Sequence, residues 1–259
     1  MDRLVVVGSG TVVPEGDRGG SCYYVELGAT RTLLDCGPGA VQSLARFGLP
    51  WADLTDLILT HFHADHVGAV PGLLFSLRYG LLPAHRSGPL DVWGPPGTRS
   101  LWEGLASALG SFVREPGFPV RLHELEPGAE ARLEGGIRLS MRETPHTPES
   151  CAVKLEAGGI RVGYTGDTGP CDELGSFLRG ARVLVCECSL TDEEAVDNHL
   201  SPGSVARIAA RAAPERLLLT HVYPHVRATR DVVALVRAAG YTEGEVELAT
   251  DGLAVPLSR

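Results

Sequence analysis

The segment Thr60-His-Phe-His-Ala-Asp-His66 constrains this chain more than any other. Three imidazoles and a carboxylate fall within six positions, in a chain that has only nine histidines in 259 residues. Neutral imidazole and carboxylate are both ligands for divalent metals such as zinc. The residues before the cluster, Leu54 to Thr60, are apolar and β-branched and predict a buried strand over Thr55–Thr60. Gly68 to Leu74 reads as a turn into a helix. The cluster therefore lies where a strand ends, the place where open α/β sheets put ligands and chemistry. Polar groups packed this densely beside buried backbone need a partner.

Three further segments repeat the arrangement. Met141 to His146, Val162 to Asp167 and Leu217 to His221 each run from an apolar stretch into one ligand-type side chain. Any one alone reads as a capped loop or a satisfied core histidine. Together with the cluster they point to a shared metal site. The strands and helices alternate along the whole chain. Strands are predicted at Leu4–Val7, Cys22–Leu27, Thr32–Asp35, Leu90–Trp93, Val120–Glu124, Ile137–Thr144, Ser150–Glu156, Arg161–Tyr164, Val183–Cys188, Arg216–Thr220, Val246–Leu248 and Leu253–Pro256. Helices are predicted at Val41–Phe47, Val70–Tyr79, Pro96–Leu109, Cys171–Leu178, Pro202–Ala213 and Thr229–Ala239. Ser201 before Pro202 is an N-cap with proline just inside the helix. The pattern predicts an α/β fold in one domain, 1–259, with two β-rich halves face to face and helices outside: a four-layered αβ/βα sandwich of two mixed sheets.

Composition limits the partners. A net charge of −9 disfavours a broad nucleic-acid surface, which wants a basic face. No apolar run approaches a membrane span, and the N-terminus reads as a first strand rather than a signal peptide, so the expectation is a cytoplasmic protein. The six cysteines are expected to be reduced there. Cys186-Glu-Cys188 reads as two small core residues flanking a polar one.

These residues together resemble the metallo-β-lactamase superfamily over nearly the whole chain. The motif order is complete: Asp35 at the end of Leu-Leu-Asp-Cys-Gly, then His61, His63, Asp65, His66, His146, Asp167 and His221. The resemblance implies the αβ/βα fold and a dinuclear metal-dependent hydrolase. His61, His63 and His146 would hold one ion; Asp65, His66 and His221 the other; Asp167 would bridge them, and Asp65 is also counted among the catalytic residues. Asp35 would orient a ligand histidine. The nitrogen-and-oxygen ligand set suits two Zn²⁺ ions, with Mn²⁺ or iron as alternatives, and a hydroxide bridging the ions would be the nucleophile.

The stretch Asn198-His199-Leu-Ser201 resembles the histidine motif of ribonuclease Z and its phosphodiesterase relatives, as do Gly8-Ser-Gly10-Thr and Pro14. Val185-Cys-Glu187-Cys-Ser189 stands where those relatives carry His-Glu-Ala-Thr, with only Glu187 kept. The resemblance implies that His199 is a general acid or phosphate contact, with Glu187 orienting it. One departure matters. Common ribonucleases Z insert a long arm that grips transfer RNA between the positions matched by His146 and Asp167; here only Thr147 to Gly166 lies between them. The expected substrate is therefore a small phosphodiester such as a cyclic nucleotide, with RNA disfavoured. The alternatives are a transfer-RNA 3′-end endonuclease of the ribonuclease Z type, hydrolysis of a lactone, thioester or sulfate ester on the same fold, and a diiron redox protein. A homodimer is expected because relatives pair through this fold. Leu73–Pro83 and Ala84–Arg86 are expected to overhang the metals, with Arg78, His85 and Arg86 either meeting a phosphate or solvated. Tyr223 and His225 are expected at the mouth, and His123 to be structural.

Overall fold

A computed structural model describes residues 2–258. One seven-stranded sheet contains β1 (Arg3–Gly8), β2 (Cys22–Leu27), β3 (Thr30–Leu34), β4 (Asp56–Ile58), β5 (Leu90–Gly94) and β6 (Val120–Glu124). The other contains β7 (Glu130–Arg132), β8 (Arg138–Glu143), β9 (Cys151–Ala157), β10 (Ile160–Tyr164), β11 (Val183–Glu187), β12 (Arg216–Thr220) and β13 (Glu245–Leu248). The last strand, β14 (Ala254–Pro256), returns to the first sheet and pairs antiparallel with β1. Both sheets are mixed. In each, antiparallel hairpins lead into a parallel run: β3 to β6 in the first sheet and β10 to β13 in the second. The parallel runs arise because helices cross between those strands.

Strands such as β1, β11 and β12 are apolar on both faces, as a sheet covered on both sides requires. Along β1, Leu4 and Val6 face the second sheet, and Val5 and Val7 face the helices, the period-two alternation of a strand. The central layer packs Tyr23, Val25, Leu34 and Ile58 against Leu139, Met141, Val153, Leu155, Val162 and Leu218. Outside the first sheet lie α1 (Ala40–Arg46), α3 (Val70–Tyr79) and α4 (Thr98–Leu109), with a one-turn α2 (Ala64–Val67) just before α3. Outside the second lie α5 (Glu173–Phe177), α6 (Pro202–Ala212) and α8 (Val232–Ala238), with α7 (Pro224–Thr229) leading into the last. The four-layered arrangement expected from the sequence is observed.

Several boundaries differ from the sequence reading for identifiable reasons. The strand expected over Thr55–Thr60 is cut to Asp56–Ile58 because the Thr60 amide leaves the ladder and donates to Asp35 Oδ1 at 2.8 Å. The helix expected over Thr229–Ala239 begins again at Val232, because Asp231 caps a new one by accepting from the Ala234 amide at 3.0 Å, with Arg230 extended before it. The short β7 and α2 carry too few residues to show a period. The turn between β9 and β10 needs positive φ at two successive residues, which Gly158 (55°) and Gly159 (83°) supply. This hairpin fills the interval between His146 and Asp167. In the segment expected to overhang the metals, Leu77, Arg78, Tyr79, Leu82, His85 and Arg86 line a cavity of about 290 Å³ with Pro116, Gly117 and Phe118, which shares no residue with the metal-ligand groups. Arg86 there donates to the carbonyls of Ala52, Leu54 and Pro89, and Arg78 to that of Glu115. His123 stacks on Trp93 and contacts Asp91, a structural role as expected. No helix among the described residues is long and apolar enough to cross a membrane.

Candidate metal centre

The site forms at the C-terminal ends of the parallel strands of both sheets, where open α/β folds place ligands. Asp35 follows β3, His61 follows β4, Asp167 follows β10, Ser189 follows β11 and His221 follows β12. Asp35 and His221 are two of the three non-glycine residues with positive φ among the described residues, at 56° and 54°. A left-handed backbone at a side chain other than glycine costs energy and persists where surrounding contacts hold it. Here it turns each strand end so that the side chain faces the cluster.

Two ligand groups converge, His61 with His63 and His146, and Asp65 with His66 and His221; in each, the candidate atoms lie within 4.8 Å of one another. Asp167 lies between them, its carboxylate 3.3 Å from His66 Nε2, 3.5 Å from His221 Nε2, 3.8 Å from His146 Nε2 and 4.0 Å from His61 Nε2. All seven residues singled out in the sequence as ligands are therefore brought together.

The hydrogen bonds around the cluster fix the imidazole tautomers. The Asp35 carboxylate accepts at Oδ2 from His66 Nδ1 at 2.7 Å. The Thr60 hydroxyl donates to that same Oδ2 at 2.8 Å, so its oxygen is left to accept from His61 Nδ1 at 3.1 Å. The Asn198 carbonyl accepts from His146 Nδ1 at 2.8 Å. Ser189 Oγ donates to Glu187 at 2.5 Å and accepts from His221 Nδ1 at 3.0 Å. Each of these four rings carries its proton on the outer nitrogen and presents the Nε2 lone pair inward. The fifth ring, His63, brings Nδ1 to 3.0 Å from His146 Nε2.

This is the test of whether cations fit. Lone pairs and carboxylate oxygens converge, and the buried Nε2 atoms of His61 and His66 have no hydrogen-bond partner. Buried acceptors without donors are costly unless a cation serves them. The electrostatics agree. Burial, with His66 alongside, pushes His61 down to about 2. Burial would lower His66 too, but Asp167 and Asp35 outweigh it and raise its pKa well above the usual value, so that before a cation binds the two carboxylates draw a proton onto the Nε2 that would face the ion. Burial would raise Asp167, but His221 and His66 hold its carboxyl well below the carboxylate range. The set is nitrogen and oxygen only, which suits zinc, manganese or iron. The cysteines stay out: Cys186 and Cys188 are buried, packed in the apolar core between the second sheet and its helices, as expected.

Beside the cluster, Glu187 is fully buried and accepts from the Thr168 amide (2.6 Å), the Ser189 hydroxyl (2.5 Å), the Leu200 amide (3.2 Å) and His199 Nδ1 (3.1 Å). An ionised carboxylate only accepts, so His199 carries a proton on Nδ1 and turns Nε2 away from Glu187. The His199 ring lies 4.8 Å from that of His146 and 5.5 Å from that of His221. Burial works against its imidazolium, but the hydrogen bond and charge of Glu187 outweigh it and raise the His199 pKa. The 197–199 loop is set by Gly169, where an added Cβ would lie 1.8 Å from the Asp197 carbonyl. Tyr223 places its ring 6.2 Å from His221 and 6.5 Å from His199, at the mouth as expected; His225 pairs with Glu194 at 3.2 Å.

Sequence reading missed Ser189, Thr60 and Tyr164. Tyr164 is fully buried and donates to Asp35 Oδ2 at 2.8 Å. Ser189 carried a signal, its place two residues after Glu187 at a strand end. Tyr164 carried none, because its partner is 129 residues away.

A model of the β-lactamase superfamily domain matches residues 30–222. The chain belongs to the β-lactamase superfamily. Domain and relatives together make it a metallo-β-lactamase-fold hydrolase, and several of its relatives are ribonucleases Z. The ribonuclease Z of Mycobacterium avium (strain 104) is 30% identical over 274 residues, covering 97% of this chain and 96% of that protein. Among solved structures, the metallo-β-lactamase fold protein YhfI from Bacillus subtilis superposes with a TM-score of 0.81 at 23% identity, covering 98% of both chains. Human tRNase Z, short form, superposes with a TM-score of 0.76 at 22% identity, covering 99% of this chain and all of that one.

Proposed function

We propose that this superfamily member hydrolyses phosphodiesters, with His61, His63 and His146 holding one divalent cation, Asp65, His66 and His221 a second, and Asp167 both. Two such ions supply Lewis-acid polarisation of phosphate oxygens and an activated water near neutral pH. The chain's own residues do the rest. Asp35, Thr60, Ser189 and the Asn198 carbonyl keep the ligand imidazoles in the tautomers that face inward. Asp65 serves as a ligand; its Oδ2 is 3.3 Å from His221 Nε2, inside the ligand group. His199 is the general acid. Glu187 holds its Nδ1–H, and Nε2 carries the proton that the leaving oxygen of a phosphodiester needs.

The observation that carries the reading is the Glu187–His199 pair against the ligand cluster. An ester with a poor alkoxide leaving group gains most from a proton donor there. His199→Ala should lower turnover of cyclic nucleotides, whose leaving group is an alkoxide, about 10²–10⁴-fold with metal content unchanged, and that of bis-p-nitrophenyl phosphate, whose phenolate leaves readily, far less. Wild-type turnover in the variant removes His199 from the mechanism.

The substrate size is proposed to be small. The interval between His146 and Asp167 is filled by the β9–β10 hairpin, which leaves no arm for a large RNA. A second reading, a transfer-RNA 3′-end endonuclease, is favoured by the near full-length match to ribonucleases Z. The match to the Mycobacterium bovis BCG Pasteur relative spans 277 positions, more than the 259 residues here, so that relative has extra residues within the matched region. Assaying precursor transfer RNA beside cyclic nucleotides separates the two. Cleavage of the RNA alone would reverse the preference.

A further inference from the structure

A cavity of about 630 Å³ opens beside the metal-ligand cluster, between the 11–20 loop and α1, and reaches Ala64 and Asp65. That volume is in the range that encloses a drug-sized ligand. A phosphate held at the cluster would direct one of its ester arms into this space. The charge inventory of the walls decides what that arm can be. Glu15 is paired with Arg227. Asp251 accepts from the Ser9 amide and hydroxyl and from the Gly19 amide. Arg18 donates through Nη1 to Ser9 Oγ and the Ala249 carbonyl, both uncharged, and keeps its charge. The walls therefore carry two cations, Arg18 and Arg46, against the carboxylates of Asp17, Asp65 and Asp251, and give a second phosphate no net attraction. Among these charged walls stand two apolar side chains open to solvent, Val12 at 62% and Val13 at 37% exposure, with Pro14 beside them. Gln42 on α1 adds one amide able both to donate and to accept.

We infer that this cavity is the subsite for an uncharged nucleoside arm of the substrate, with Val12 and Val13 covering the base and Gln42 meeting its polar edge. The inference rests on the phosphodiester reading and narrows it: the substrate is an ester of one nucleoside rather than an extended polyanion.

The test compares two chromogenic esters with the metal-loaded protein, thymidine 5′-(p-nitrophenyl phosphate) and methyl p-nitrophenyl phosphate, which differ only in the arm. In the wild type the thymidine ester should have a KM about tenfold lower. Val12→Asp and Gln42→Ala should each raise that KM several-fold while leaving kcat, and all constants for the methyl ester, within about twofold, the signature of binding shared by ground and transition states. Equal KM values in the wild type, or variants that move both esters alike, would overturn the inference. So would a lower KM for a dinucleotide with a terminal 5′-phosphate than for the thymidine ester, since that would show a wall that attracts further phosphate. If neither ester is cleaved, the phosphodiester reading itself fails, an outcome distinct from cleavage without discrimination.

Discussion

Replacing Glu187 with glutamine tests the catalytic and structural arguments at once. The change keeps the shape of the side chain but turns one acceptor oxygen into an NH₂ donor and removes the charge. Both oxygens are committed: Oε1 accepts from the Thr168 amide, and Oε2 from Ser189 and the Leu200 amide, with His199 Nδ1 within 3.2 Å of each. Whichever way the amide faces, a backbone N–H meets a donor in a fully buried place. A hydrogen bond to a charged group contributes about 1.5–3 kcal/mol, and an unsatisfied buried donor costs about 1–3 kcal/mol. Losing one such bond and leaving one donor unpaired gives a destabilisation of about 2.5–6 kcal/mol. For a chain of this size that corresponds to a fall in Tm of roughly 5–24 °C. Turnover should fall about 10²-fold or more, because Glu187 holds the His199 proton in place. Calorimetry of the metal-loaded protein and steady-state rates on a cyclic nucleotide, with its alkoxide leaving group, measure the two effects. A Tm within about 2 °C of wild type would show that the carboxylate is not the hub that the four donors imply. Unchanged turnover at a lowered Tm would leave Glu187 structural and detach it from catalysis.

Tyr164→Phe removes one donor from Asp35 Oδ2, the oxygen that orients His66; metal affinity on that side should fall about tenfold, read by competition with a chromogenic chelator, and unchanged affinity would show that Thr60 alone suffices. Gly169→Ala should push the 197–199 loop off the cluster, because its Cβ would meet the Asp197 carbonyl at 1.8 Å; the expected result is a loss of kcat larger than the rise in KM, and wild-type kinetics would mean that the loop yields freely.

The ligands were legible in the sequence because metal chemistry allows few residue types and strand ends deliver them one at a time. His61 to His66 announced itself by density, and His146, Asp167 and His221 by an apolar stretch running into each. The layer order was legible because strands such as β1, β11 and β12 are apolar on both faces. What escaped was set by distance in the chain rather than by residue type. Tyr164 looks like any core aromatic until the sheets are stacked and its hydroxyl meets Asp35. Thr60 was read as the end of a strand, when its hydroxyl serves Asp35 and His61 together. The break between α7 and α8 depended on Asp231 competing as a cap, a local contest that apolar periodicity does not report.

The ligand cluster draws His61, His63, Asp65 and His66 from one sheet's strand ends and His146, Asp167 and His221 from the other's. Cations held there would act as a clasp across the seam between two stacked halves, and their binding energy would count toward the cohesion of the sandwich. The dependence runs both ways. Neither half alone can assemble a complete ligand set, so a chain that has folded only one of them has no partial activity to offer, and hydrolysis switches on only when the two sheets have closed on each other.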